Sequence, residues 1–499
     1  MEATVIAKYL DVAEKIDPIK CVGRVIKVQG LLIESRGPQV IMGEVCRIEV
    51  PKGKGLIQAE VVGLRKEVVQ LMAFEETAGL EVGSRVIASG GCLEVKVSDK
   101  LLGRVLDALG NPIDGKGDIE SPLRYPAVAP PPDPLKRKRV TQRIATGVRA
   151  IDGLLAVGRG QRMGIFSGSG VGKTTLLGMI ARNTNADVNV VALIGERGRE
   201  VNDFIRNDLG PEGLSRSVVV VSPSNSPPLA RIRGAYVATA VAEYFRDQGL
   251  DVMLFFDSVT RFARAQREIG LAIGEPPATR GYTPSVLDSM PKLLERSGTA
   301  DRGTITGFYT VLVDADDMDE PVADNVRGIL DGHLVLSRRL AQAYHYPALD
   351  IQSSVSRLAP IVSGPVTKKA VGYILRLMAV YAEAEDLINV GAYHAGSNPA
   401  IDEAIAQKKA IDDFLIQEVD EKSSVVETLS ALAEISHIEI PAEEMEVYKK
   451  SVPAGGVPVG DPRGETRGMY PESPALREQH APAAYGGVVD FPPQGNDNG

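Results

Sequence analysis

The chain has 499 residues, a formal net charge of −9, 44% hydrophobic and 24% charged residues. That length holds several domains, no stretch nears the ~18 consecutive apolar residues of a membrane span, and the acidic balance argues against general electrostatic capture of nucleic acid. Three widely spaced cysteines and five histidines without an H-E-x-x-H pattern point away from a disulfide framework and from a zinc centre.

The N-terminal stretch MEATVIAKYLDVAEKID lacks the basic start and apolar block of a secretion signal, so a cytoplasmic location is expected. Within it Val5, Ile6, Tyr9, Leu10 and Ile16 share one helical stripe, which predicts a short amphipathic segment over residues 1–20. Residues 21–97 change texture to short β-rich runs, RVIKVQGLLIE, EVCRIEV, IQAEVVGL and EVVQLMAF, parted by glycine, proline or charge. Strands this short and closely spaced predict a small barrel or a sandwich.

A turn-rich segment, LLGRVLDALGNPIDGKG, closes that region and opens one over residues 98–366. The proline-stiffened APPPDPLKRKRV carries a basic tetrapeptide at 136–139, read as the solvated face of a linker rather than as a nuclear signal. Beyond it MGIFSG, VNVVALIG, SVVVVSP, VMLFFDS and TITGFYTVLV alternate with helical stretches. Continuous apolar strands joined by helical crossovers predict a mainly parallel sheet covered on both faces, an α/β fold. Helical spacing marks 367–447. Residues 448–499 are about a third proline plus glycine without a period, the composition of an unstructured tail.

Three patterns carry chemistry. IFSGSGVGKTTLLGM places a glycine-rich turn between a short β run and a helix-compatible run, with Ser167 where the strict G-x-x-x-x-G-K-[ST] pattern has glycine. The loop through Gly168, Ser169, Gly170, Val171, Gly172, Lys173, Thr174 and Thr175 is expected to wrap phosphates with backbone N–H groups at a helix N-terminus. Lys173 would reach the β- and γ-phosphates and the Thr174 hydroxyl would hold Mg²⁺. In VMLFFDS an apolar strand ends in Asp257, suited to magnesium, through water, or to capping the following helix. In ALIGERGREVNDF a strand delivers Glu196, suited to orienting and deprotonating an attacking water, although by itself it also fits an exposed charged turn.

With these pieces together the chain resembles the flagellum-specific type III export ATPases, relatives of the catalytic and non-catalytic subunits of rotary ATP synthases. The resemblance spans about residues 22–415 and rests on LLGRVLDALGNPIDG, GSGVGKTTLLGMIAR, NVVALIGERGREVNDFI, DSVTRFARAQREIGLAIGEPPATRGYTPSV, LLERSG, ILDGHLVLSR and SVSR. It implies an N-terminal β-barrel, a RecA-like P-loop NTPase core and a C-terminal helical domain. It implies ATP as substrate with Mg²⁺, with Lys173 and Thr174 as phosphate and magnesium residues, Glu196 as water-activating carboxylate and Asp257 as magnesium-associated. Arg197 and Arg261 would support the γ-phosphate, Tyr346 would stack on adenine, and Arg357 would be the finger supplied to a neighbouring subunit.

Rotary ATP synthases divide catalytic and finger roles between two chains, whereas this one retains both sets, so a homohexamer is expected. The implied work is ATP hydrolysis that energises or gates export of unfolded flagellar proteins. Implied partners are a regulator at the N-terminal stripe, a central stalk protein at the GEPPATRGYTPSV loop, the export gate, chaperones and unfolded substrates. Implied location is the cytoplasm, peripheral to the inner-membrane export apparatus. The ATPase of a virulence type III secretion system and a rotary ATP synthase ring subunit stand as alternatives. An RNA-translocating hexamer is disfavoured, because the barrel region lacks a basic, aromatic-bearing surface. DADDMDEP lacks the glycine and late glutamate of a calcium loop and is read as a solvated acidic turn.

Overall fold

Alternating burial along six short strands builds the first layer. In the computed structural model, which describes residues 21–50, 55–313 and 317–446, these are β1 (Val22–Gln29), β2 (Leu32–Arg36), β3 (Glu44–Glu49), β4 (Leu56–Arg65), β5 (Val68–Ala73) and β6 (Arg85–Cys92). The N-terminal stripe and the Pro/Gly-rich tail lie outside the described residues. Every second side chain turns inward, so Val25, Ile33, Cys46, Ile48, Ala59, Leu71 and Val86 form one core. The strand order β1-β2-β5-β4-β3-β6 closes on itself through the pairing of Gly23 with Val86. The region is therefore a barrel and not a sandwich, and closure leaves no unpaired strand edge.

The second layer is a sheet whose central strands are buried on both faces. Its members are β7 (Arg104–Leu106), β8 (Arg162–Ser167), β9 (Val188–Ile194), β10 (Ser217–Ser222), β11 (Asp251–Asp257), β12 (Thr304–Leu312), β13 (Gly332–Leu336) and β14 (Leu349–Ser356). They lie in the order β14-β13-β8-β12-β11-β9-β10-β7. Along this path all pairs are parallel except β13 with β14, which run antiparallel at one edge, and off the path the two residues Gly298–Thr299 pair antiparallel with β12. Every residue of β9, β10 and β11 is buried, which is why these strands read as unbroken apolar runs.

The turn-rich LLGRVLDALGNPIDGKG does more than mark a boundary. It supplies β7 at the other edge of this sheet, pinned by the Arg104 Nε to Asp114 Oδ2 bond of 2.7 Å. Asp107 Oδ1 then accepts from the N–H groups of Leu109 and Asn111, both at 2.8 Å, and shapes the turn that follows.

Helices cover the sheet: α1 (Lys173–Asn183), α2 (Pro228–Asp247) and α3 (Val259–Ile273), the last capped by the Ser258 hydroxyl. Glu60 of β4 and Arg233 of α2 join barrel to sheet as a bidentate pair with one bond of 2.6 Å. Three further helices follow, α4 (Pro365–Asn389), α5 (Pro399–Leu415) and α6 (Val425–Ser436). Ser424 and Glu427 form a reciprocal capping box at the start of α6. Buried Ile374, Leu377, Phe414, Leu429 and Leu432 pack with Leu349 and Ile351 of β14, so the helical layer and the sheet share one core. Among the described residues no helix is long and apolar enough to cross a membrane.

Candidate active site

Parallel strands end together, and the ends of β8, β9, β11 and β12 surround a cleft of about 430 Å³. The glycine-rich loop forms its floor. Gly172 caps α1 with φ +91° and Gly170 has φ +78°, left-handed backbone that glycine adopts without a steric penalty. Gly168, Ser169, Gly170, Gly172, Lys173, Thr174 and Thr175 all line the cleft. Val171 does not, because its side chain is 2% exposed and packs into the core beneath the loop. Its share in the loop is through its backbone.

Two carboxylates and two cations converge above that floor. Lys173 Nζ pairs with Asp257 Oδ1 and lies 3.8 Å from Glu196 Oε1. Arg261 Nε also stands 3.8 Å from that oxygen. Asp257 is further held by the Thr310 hydroxyl, which donates to Oδ1 at 2.7 Å. Glu196 is buried, and its Oε1 accepts no hydrogen bond. Burial first, and then the negative charge of Asp257, push its pKa up to about 7, while Lys173 and Arg261 partly offset this. A carboxyl poised near neutrality beside open space suits proton transfer to or from water.

The turn that brings Glu196 here depends on Gly195, at φ +75°, where an added Cβ would stand 2.9 Å from Arg261 Cβ. Arg197 directs its side chain outward, 77% exposed, and lies 3.6 Å from Glu200 at the cleft mouth. The Tyr346 ring stands against the loop, 3.7 Å from where a Gly172 Cβ would be, and is 40% exposed.

Arg357 is not in this cleft. Ser167 pairs with Leu336 and Leu336 with Leu349, so β14 starts at the cleft end of the sheet. Its last residue, Ser356, pairs with Gly332 at the opposite end. Arg357 follows there, exposed, with its N–H donating to Asp331 O at 3.0 Å.

Sequence reasoning missed Thr310. TITGFYTVLV places Thr304, Thr306 and Thr310 on one face of a strand, and only the register of β11 against β12 selects the one that meets Asp257. It also missed the acidic rim of Glu200, Asp203 and Asp208, which lies on the helical stretch after Glu196, in a charge-rich run that reads as solvent-facing surface. No group of three or more metal-ligating side chains occurs among the described residues. Thr174 and Asp257 do offer the hard oxygen donors that magnesium prefers, and magnesium usually keeps several waters besides such ligands.

A glycine-rich loop between a strand and a helix, with a lysine, a strand-end aspartate and a raised glutamate around it, defines a nucleotide-hydrolysing P-loop fold. Family models agree over most of the chain: the beta-barrel domain of the ATP synthase alpha/beta family matches residues 25–90, its nucleotide-binding domain 147–356, and the T3SS EscN ATPase C-terminal domain 364–434. The chain is 58% identical to the flagellum-specific ATP synthase of Treponema pallidum, covering 88% of this chain and 98% of that one. Against the flagellum-specific ATP synthase of Bacillus subtilis identity is 51%, over 86% and 98%. Among solved structures it is similar to the assembled ATPase EscN of the enteropathogenic E. coli type III secretion system, at 44% identity and a TM-score of 0.79, covering 83% of this chain and all of that one. The chain belongs to the ATP synthase alpha/beta family, within its flagellar and type III secretion ATPase branch.

Proposed function

We propose that this chain is the ATPase of a flagellar type III export apparatus, working as a homohexameric ring in which each subunit lends Arg357 to its neighbour. The observation that carries the reading is the convergence of Lys173, Glu196 and Asp257 in one cleft while Arg357 stands at the far end of the same sheet. A closed ring of head-to-tail contacts brings one end of a subunit against the other end of the next. The solved EscN ATPase is described as assembled, and also as a complex with its central stalk EscO, which supports both a ring and a stalk partner here. The flagellar assignment rests on 58% identity to the Treponema chain against 50% to the type 3 secretion system ATPase of Xanthomonas euvesicatoria.

In the mechanism, the backbone N–H groups of residues 168–174 hold the phosphates and Lys173 leaves Asp257 to contact the β- and γ-oxygens. Thr174 and Asp257 would hold Mg²⁺, which when bound neutralises charge on those oxygens. Glu196 orients a water and takes its proton as the water oxygen bonds to the γ-phosphorus. The bond from that phosphorus to the β,γ-bridging oxygen breaks, and ADP leaves with the electron pair. Arg261 keeps Glu196 aimed at the water, Arg197 closes the mouth over the γ-phosphate, and the Tyr346 ring stacks on the base. Arg357 of the adjacent subunit then meets the charge spreading over the transferred group.

The GEPPATRGYTPSV loop is the proposed contact for the stalk, and there Arg280 and Tyr282 of the loop meet Arg264 and Arg267 of α3 together with Asp317 and Glu320. The remaining partners proposed are a regulator at the N-terminal stripe, the export gate, chaperones and unfolded flagellar proteins, with the ring held in the cytoplasm peripherally at the inner membrane. The test combines chemistry and biology: Glu196→Gln should bind ATP yet hydrolyse it at under about a hundredth of the wild-type rate. A strain lacking the chain should regain filaments with the wild type and not with that variant. Filament recovery with no chain supplied would contradict the export role.

A further inference from the structure

Gln417 lies in the segment after α5 and belongs to none of the motifs above. It is 2% exposed, and both polar atoms of its side chain are engaged. Its side-chain Nε2 donates to Gly147 O at 2.9 Å and to Glu421 O at 3.0 Å, and its Oε1 accepts from the Arg149 N–H at 2.8 Å. Its own backbone N–H donates to Tyr346 O at 2.9 Å. The side chain is thus fastened to the entrance of the sheet domain, and the main chain passes that hold to Tyr346.

The surrounding segment is gripped from the same side. Arg149 Nε donates to Phe414 O at 3.1 Å and its guanidinium pairs with Glu421. Arg182, in the last turn of the helix that begins at Lys173, donates from Nη2 to Val419 O at 2.7 Å. Residues 416–421 therefore connect three things: the 147–149 entrance, the phosphate-loop helix, and the backbone of the tyrosine whose ring stands against Gly172. The Tyr346 ring is itself 40% exposed, so packing alone fixes it only in part.

We propose that Gln417 is a positioning residue for the nucleotide: it locks the backbone of Tyr346 in register with the phosphate loop and thereby sets the affinity for ATP without touching reacting atoms. The inference rests on the reading of Tyr346 as the platform for the base. It also makes the helical domain a working part of the nucleotide site, since the loop that carries Gln417 joins α5 to α6.

The test is steady-state kinetics of Gln417→Ala and the unbranched, similarly long Gln417→Met, alone and combined with Tyr346→Ala. Loss of an interaction that holds ground state and transition state alike raises KM and leaves kcat in place. Both Gln417 variants should raise KM for ATP about tenfold with kcat within twofold, and a double variant should be no worse in KM than Tyr346→Ala alone. Additive effects, or a fall in kcat at unchanged KM, would overturn the proposal. Tyr346→Ala with an unchanged KM would instead remove the base-platform reading on which it rests. Hydrogen exchange of wild-type peptides covering residues 414–422 needs no variant: slower exchange on adding a non-hydrolysable ATP analogue is expected, and identical exchange would overturn the coupling.

Discussion

Tyr346 and Arg357 lie before and after a single eight-residue strand, β14, and so stand toward opposite ends of the sheet, the strand itself spanning about 25 Å at the rise of an extended chain. One lies against its own phosphate loop. The other follows the strand at the far end of the sheet, exposed and outside the cleft. The proposed sharing of sites between neighbouring subunits would place its two parts at the two ends of one strand.

Subunit mixing follows from that sharing. Lys173→Ala destroys the site of its own chain and Arg357→Ala destroys the site of its neighbour, so each homomeric variant should be nearly inactive, the finger loss costing ~10³–10⁵ in rate. Rings assembled from equal amounts of both should recover up to about a quarter of wild-type ATPase activity, because a site with both residues intact arises at that frequency in random rings. Coupled-enzyme assays of the mixture against the separate variants would show it, and no recovery in confirmed mixed rings would contradict it.

The rate should depend on pH through Glu196. Its carboxyl titrates near 7, and only the ionised form accepts a proton from water. kcat/KM of the free enzyme should therefore rise about tenfold per pH unit below 7 and level off above it. A profile flat between pH 5.5 and 8 would assign the base elsewhere.

The same shift has a signature in stability. A carboxyl whose folded pKa lies above its unfolded value binds more protons when folded, so its contribution falls as pH rises from about 4.5 to about 7. Glu196→Gln, which stays neutral, should raise the Tm of the nucleotide-free protein at pH 8 and leave it nearly unchanged at pH 5. Scanning calorimetry at both values is the check, and an equal shift at both would mean the effect is not electrostatic.

Glu60 and Arg233 supply a mechanical prediction. Glu60→Ala leaves the Arg233 guanidinium buried in the joint between barrel and sheet without its carboxylate, a loss of about 3–5 kcal/mol. Urea unfolding should show the barrel melting earlier than the sheet domain, and a single unshifted transition would show that other contacts hold the joint.

Much of this was legible before any coordinates, and the reason differs by element. Asp257 and Glu196 announce themselves because an apolar run ending in an acid is a strand delivering a charge to its tip. The phosphate loop is legible because glycine spacing and lysine lie within eight residues of chain. Thr310 and Gln417 are invisible at that level, since Asp257 lies 53 residues from the first, and Arg149 and Gly147 lie 268 and 270 residues from the second, so that only the tertiary fold brings them together. Barrel closure was equally hidden: strand lengths fit a sandwich as well, and the deciding contact is between β1 and β6. Residues 104–106 look like turn because their neighbours are turn residues, yet β10 offers an open edge that they fill.

Sharing of active sites between copies of this chain is what the proposed ring stands or falls on. The most direct measurement is specific ATPase activity against protein concentration, with mass determined in parallel, for wild type and Arg357→Ala. Wild-type activity should climb steeply as hexamers appear, and the variant should form the same hexamers without the rise. Full activity in monomers, unchanged by concentration or by loss of Arg357, would contradict it.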